Sequence, residues 1–220
     1  RKDKFGADHP AVAEVLVIHA EVMCQAGLYE EAIPILQSAL TSSTSESGEE
    51  TGIVADILSS MGQVLCAQGK FEDAEETLVK ALEVYRCLSS NDSVKVALVF
   101  GYLADVHKSM ARFSEAIKCQ EESLYIFTHI YGEAHVRTIA AKGTLGVLLK
   151  AFGRAEQAEG EGLIRDSVTV LRNSPKRRGN AFLGQFLLEI EDEMSSVGGG
   201  GLGMEGSYAL QSIAGSHLDG

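Results

Sequence analysis

Ala26-Gly27-Leu28-Tyr29-Glu30-Glu31-Ala32-Ile33-Pro34 is the stretch whose meaning decides the fold. Its glycine, aromatic and alanine recur 42 residues on, at Gly69, Phe71 and Ala74, and again at Ala111, Phe113 and Ala116. The alanine returns once more at Ala158 and the glycine at Gly153. Further columns keep the same step on either side. Ala20, Gly62, Ala104 and Gly146 are all small, Leu40, Leu82 and Leu124 are all leucine, and His19, Met61, Leu103 and Leu145 stand beside the small column. Self-similarity at one period of this length is the mark of a stacked repeat.

The chemistry of the columns is that of a helical hairpin. Within one period Phe71, Ala74, Leu78, Ala81, Leu82 and Tyr85 step by three or four, so they share one helix face. A small residue at Ala20, Gly62, Ala104 and Gly146 lets two helix axes approach where a larger side chain would hold them apart. The glycine column lies between two periodic stretches, where a short turn needs a residue that tolerates positive φ. Pro34 falls near the first turn of its helix, where a missing N–H does least harm. One such hairpin cannot cover its own apolar faces, so neighbours must stack.

These small, glycine, aromatic, alanine and leucine columns resemble tetratricopeptide repeats. The 42-residue period, with Gly6-Ala7-Asp8-His9-Pro10-Ala11-Val12-Ala13 leading into the first helix, is similar to the repeats of kinesin light chains. Tyr131-Gly132 and His135 repeat Phe5-Gly6 and His9 three periods on. The resemblance covers roughly residues 5–172. It implies an all-α fold: a right-handed αα superhelix of about four hairpins with a C-terminal capping helix. The columns divide the chain into residues 1–9 as the end of a preceding repeat and four repeats over 10–172, at about 10–41, 51–88, 93–130 and 135–172. A basic linker at 173–180, a capping helix at 181–196 and a disordered Gly-rich tail at 197–220 follow. In the cap, Phe182, Phe186, Leu187 and Ile190 share one face and Glu189, Glu191, Asp192 and Glu193 the other. Thr41 to Glu50 reads as a polar loop.

The fourth repeat departs from the pattern. After Ala158 the apolar columns should fall on 162, 165 and 166, which are Gly162, Arg165 and Asp166. A shift of two brings Ile164, Ser167 and Val168 into place. Gly160-Glu161 therefore reads as a two-residue insertion, and the hairpin is expected to be distorted or its second helix to start late.

Composition excludes several roles. The 220 residues are 45% hydrophobic and 23% charged, ordinary values for a folded domain. The net charge of -12 sets the chain against nucleic-acid phosphates. The longest apolar run, Val96 to Ala104, is far short of the ~20 residues that span a bilayer. There is no signal peptide and no initiator Met, so the sequence reads as a piece of a longer protein. Four scattered cysteines point to reduced thiols in an intracellular, cytoplasmic protein.

No residue set is spaced for catalysis, and no cofactor or small-molecule substrate is implied. Gly201-Leu202-Gly203-Met204-Glu205-Gly206 matches the dinucleotide fingerprint by letter, but an acidic helix precedes it where a strand is needed, so a flexible tail is the reading. Cys24 and Cys66 share a column with His107 beside it. Stacked repeats hold such residues roughly 10 Å apart, whereas zinc needs ligands at ~2.0–2.3 Å, so no metal site is expected. His19 and His107 should be buried or half-buried packing residues, and His9 and His135 should settle the turn before a helix. Ser174-Pro175-Lys176-Arg177 has the form of a kinase site or basic patch, with a solvated loop as the plainer reading.

The resemblance also implies where a partner binds. In this family the first helix of each pair lines the concave face. The corresponding residues here are Glu14, Val17, Glu21, Cys24 and Gln25; Asp56, Ser59, Gln63 and Cys66; Leu98, Gly101, Asp105 and Lys108; and Ala140, Gly143, Val147 and Lys150. Kinesin light chain repeats carry asparagines along this groove; the matching positions here are Val17-Ile18, Ser59-Ser60, Gly101-Tyr102 and Gly143-Thr144. Glu14, Glu21 and Asp56 against Lys108 and Lys150 predict a charge gradient, with the acidic end of a partner segment near the lysines. The expected function is a non-catalytic protein-binding scaffold. A structural spacer that stacks end to end, or a sensor array beside an upstream NTPase, is the other reading.

Overall fold

The computed structural model describes residues 10–47, 51–88, 93–153 and 157–173, together with Leu187, Leu188 and Ile190. Regular structure among them is helical throughout. The chain forms two compact units, Arg1–Asn91 and Asp92–Gly220. The first holds α1 (Pro10–Gln25), α2 (Tyr29–Ser47), α3 (Gly52–Ala67) and α4 (Phe71–Leu88). The second holds α5 (Val94–Ser109), α6 (Phe113–Tyr131), α7 (Val136–Phe152) and α8 (Gln157–Asn173). Among the described residues each unit holds a pair of helical hairpins.

The turns explain the glycine column. Gly27 and Gly69 have φ of 75° and 76°, and nothing crowds a Cβ at either, so conformation alone selects glycine there. The same turn carries one long bond in three hairpins: Leu28 N–H to Met23 C=O, Lys70 N–H to Leu65 C=O and Arg112 N–H to His107 C=O, at 2.9, 2.9 and 2.8 Å. These are the six-to-one bonds of a Schellman cap, which satisfies carbonyls that the helix end leaves open. Ala111 holds the third turn at φ 58° in place of a glycine. Helix starts share a column too. The Thr51 and Ser93 hydroxyls accept from Val54 N–H and Val96 N–H, and His135 Nδ1 accepts from Arg137 N–H. His135 thus settles the turn before α7 as expected; His9, its column mate, lies outside the described residues.

In the first unit the core joins Val17, Ala20, Ala32, Leu36, Ala39, Ile57 and Val64. Ala32, Ala74 and Ala116 are fully buried, each at the point where its hairpin closes. Complete burial of a Leu such as Leu36 or Leu78 contributes roughly 1.5–3 kcal/mol. In the second unit Ala104, Ala116 and Leu148 pack together, and a larger cluster joins Ile139, Val147, Ile164, Val168, Leu171, Leu187 and Ile190. The column of Leu36 and Leu78 holds Gln120 in the third hairpin. It is buried and donates to the Ala141 carbonyl at 3.1 Å, tying α6 to α7.

The fourth hairpin keeps its core by slipping two residues. Ile164, Ser167 and Val168 are buried, as the shifted register requires. Ala158, the fourth alanine of its column, is exposed, and Gly160 occupies the seam instead. α8 is continuous from Gln157, so Gly160-Glu161 is not an insertion. The slipped register is already in place along α8, with Gly160 against Gly146 and Ile164 buried. Gly153 has φ 178°, extended backbone open to any residue, and does not repeat the left-handed turn of Gly27 and Gly69.

Two further expectations are corrected. α2 continues to Ser47, through what reads as a polar loop. Thr41 Oγ1 donates back to the Gln37 carbonyl at 2.7 Å, and Ser43 is buried in the column of Tyr85 and Phe127. Short hydroxyl side chains that fold onto their own helix need no loop. His19 is exposed, unlike Leu103 and Leu145 in its column. It sits on α1 beside Val15, Ile18 and Val22, at 42%, 57% and 56% exposure, whereas Ile57 and Val64 at the valine columns of α3 pack into the core with Ala32 and Leu36. Among the described residues nothing covers α1 as the first hairpin covers α3.

Candidate partner-binding surface

The resemblance places the binding residues on the first helix of each hairpin, where they recur at spacings of three and four. On α3, Ser59 is buried, while Asp56 and Gln63 are half-buried. Tyr85, reaching across from α4, donates its hydroxyl to the Asp56 carboxylate. Asp56 is therefore oriented by its own hairpin. On α1, Val17 is buried and belongs to the core. Glu14, Glu21, Cys24 and Gln25 lie outside the described side chains.

In the second unit the two first helices carry the same sequence of small residue and cation. Gly101 and Gly143 are buried; Lys108 and Lys150 follow seven residues later, both half-buried, with Asp105 one turn from Lys108. A cation near the last turn also suits the negative end of its helix. Val147 is buried in the cluster that includes Leu187 and Ile190, so it is a core residue and not an open wall. Gly101, Gly143, Ser59 and Val17 likewise offer little surface. The polar heads of Asp56, Gln63, Asp105, Lys108 and Lys150 are what these faces can present to a partner.

The sequence reading missed a second group on α7. Phe127 and Tyr131 at the end of α6, then His135 before α7, form a ladder of rings with centroids 6.3 and 4.3 Å apart. Arg137 lies over the Tyr131 ring, its Cζ 5.7 Å from the centroid. Thr138 donates to the Gly132 carbonyl at 2.8 Å and fastens the connection. Tyr131 and His135 carry a repeat signal, but nothing in the repeat signals Arg137, because position 137 has Ile53 and Lys95 as its column mates.

Cys66 and His107 are buried, and among the described residues no group of three or more His, Cys, Asp or Glu is placed to hold a metal ion. No described helix is long and apolar enough to cross a membrane.

The family model for the tetratricopeptide repeat matches residues 11–86 and 95–160, more than half of the chain. The chain belongs to the tetratricopeptide repeat family. Among solved structures it is similar to BtubC (BKLC) from P. vanneervenii, with 19% identity, a TM-score of 0.68, and coverage of 96% of this chain and 84% of that one. It is also similar to a putative kinesin light chain with nearly identical TPR-like repeats from Podosopora anserina, at 14% identity, TM-score 0.67, and 93% and 94% coverage. No curated protein matches the chain. At these identities the likeness carries the fold: all-α, of the αα-superhelix type, with kinesin-light-chain-like repeats. Repeats of this family in general mediate protein–protein interaction and are non-catalytic.

Proposed function

We propose that this chain is an intracellular scaffold whose second unit binds an acidic segment of a partner protein along the first helices of its hairpins. The observation that carries this reading is the pair Lys108 and Lys150. They occupy one column on α5 and α7, are half-buried, and each follows a buried glycine by two turns. Two cations at the repeat spacing match carboxylates along an extended segment. In the first unit the Asp56 carboxylate favours a basic side chain.

The test uses labelled peptides of equal length that differ only in net charge. Acidic peptides are expected to bind, and the double reversal Lys108→Glu with Lys150→Glu should slow their association and flatten its salt dependence. Equal binding of acidic and basic peptides, or a reversal without effect on rate and salt dependence, would place the interaction on another surface. The exposed Val15, Ile18 and Val22 favour a second reading, a spacer that stacks through α1. Concentration-dependent sedimentation that Ile18→Asp abolishes supports stacking; a monomer at every concentration removes it.

A further inference from the structure

Arg137 is an uncommon kind of arginine. It is 6% exposed, and its Nε is sealed from solvent with no hydrogen-bond acceptor. Among the described residues no carboxylate pairs with it; the acidic residue of the same connection, Glu133, is turned to Lys142 at 3.5 Å. Burying a charge without a counterion is costly. The face of Tyr131 offsets part of that cost, and Tyr131 is itself backed by the parallel ring of His135, 14° from coplanar. The start of α7 adds the positive end of a helix dipole to the same place. Positive potential is therefore concentrated on a guanidinium that lies over a ring and has no anion among the described residues.

We propose that Arg137, framed by Tyr131 and His135, receives one carboxylate, an Asp or Glu side chain of a partner polypeptide. The guanidinium is a planar fork of donors that matches a carboxylate, and preorganising it on an aromatic ring removes most of the entropy cost of capture. The local charge favours a monoanion. Lys142 is matched by Glu133, which leaves the single charge of Arg137, a balance that suits a carboxylate better than a doubly charged phosphate. The Arg137 backbone N–H is already taken by His135 Nδ1, so the ligand is held by the side chain and not by the open end of the helix. This site rests on the scaffold reading for the nature of its partner and adds a second anchor to it. Arg137 opens α7 and Lys150 lies in its last turn, about 20 Å apart at 1.5 Å per residue.

The test needs no partner. In the 15N-labelled chain, the Arg137 Nε–H resonance and the Tyr131 ring protons are followed while sodium acetate, sodium chloride or sodium phosphate is added at matched ionic strength. Acetate should shift them saturably, with a midpoint of roughly 10 mM, the range of a single small ion pair. Chloride should not. Without acetate, Arg137→Gln should keep or raise the thermal midpoint, because it removes an unpaired buried charge, and the rise in midpoint that acetate gives the parent should vanish. An arginine kept only for packing gives the opposite result, a lower midpoint and no response to acetate. A response shared by acetate and chloride overturns the proposal, and a stronger one to phosphate replaces the carboxylate with a phosphate. If Arg137→Gln does not fold, the titration of the parent chain still decides. Because acetate probes Arg137 alone, its failure leaves the reading of Lys108 and Lys150 standing, and failure of the charged peptides leaves this one.

Discussion

A Cβ built on Gly62, in the second hairpin, would lie 2.5 Å from Cγ of Leu78, a side chain. A Cβ on Gly146, at the same column of the fourth hairpin, would lie 2.7 Å from the carbonyl oxygen of Gly160 and 3.1 Å from the nitrogen of Ile164. From the other side, a Cβ on Gly160 would lie 2.5 Å from the Gly146 carbonyl and 2.8 Å from the Lys150 nitrogen. α3 and α4 therefore meet through a leucine resting on a glycine, while α7 and α8 meet backbone to backbone. The difference teaches how a repeat absorbs two extra residues. The register slips, and the seam survives because a glycine stands where the alanine would have been.

The comparison breaks most easily at Gly146. Gly146→Ala should cost about 3 kcal/mol, since backbone cannot move aside as a side chain can. Gly62→Ala should cost clearly less. The first hairpin already holds Ala20 and Leu36 at those columns within one core, and alanine regains helix propensity of ~1 kcal/mol. Chemical denaturation of both variants checks the order; equal losses would mean that the two seams are packed alike.

Ala74→Leu and Ala116→Leu come next. Both alanines are fully buried where helices cross, and overpacking of this kind costs ~1–3 kcal/mol. Unchanged thermal midpoints in both would show that the alanine column is not where the hairpins close.

The turns give a smaller effect of opposite sign. Ala111 sits at φ 58°, where a Cβ is strained by about 1–2 kcal/mol, so Ala111→Gly should stabilise, less the entropy that glycine adds to the unfolded chain. Gly153, at φ 178°, carries no such strain, and Gly153→Ala should be neutral or slightly stabilising. A loss at Gly153 as large as a loss at Gly69→Ala would return the fourth turn to the pattern of the others.

The alternation of helix and turn was legible because each column reports a local need: positive φ at Gly27 and Gly69, close approach at Ala74 and Gly62. The slip was legible in Ile164 and Val168, which fall out of phase with Ala158. That Gly160 belongs to the seam was not, because it is a poor helix residue by propensity, and only its neighbour Gly146 across the seam explains it. The exposure of His19, Val15 and Val22 was hidden for a related reason. Column identity says what a position contacts when a hairpin is stacked on it, and among the described residues α1 carries no such cover. Lys108 and Lys150 stood out by their shared column. Arg137 did not, since its setting depends on Tyr131 and His135 arriving from another helix and a connection.

The slipped register of the fourth hairpin is tested most directly by the thermal midpoints of Ala158→Leu and Gly160→Ala. With Ala158 exposed and Gly160 in the seam, Ala158→Leu should leave the midpoint nearly unchanged. Gly160→Ala should lower it sharply, although alanine is the better helix former by ~1 kcal/mol. A fall at Ala158→Leu together with a rise at Gly160→Ala would put Ala158 back in the seam and contradict the slip.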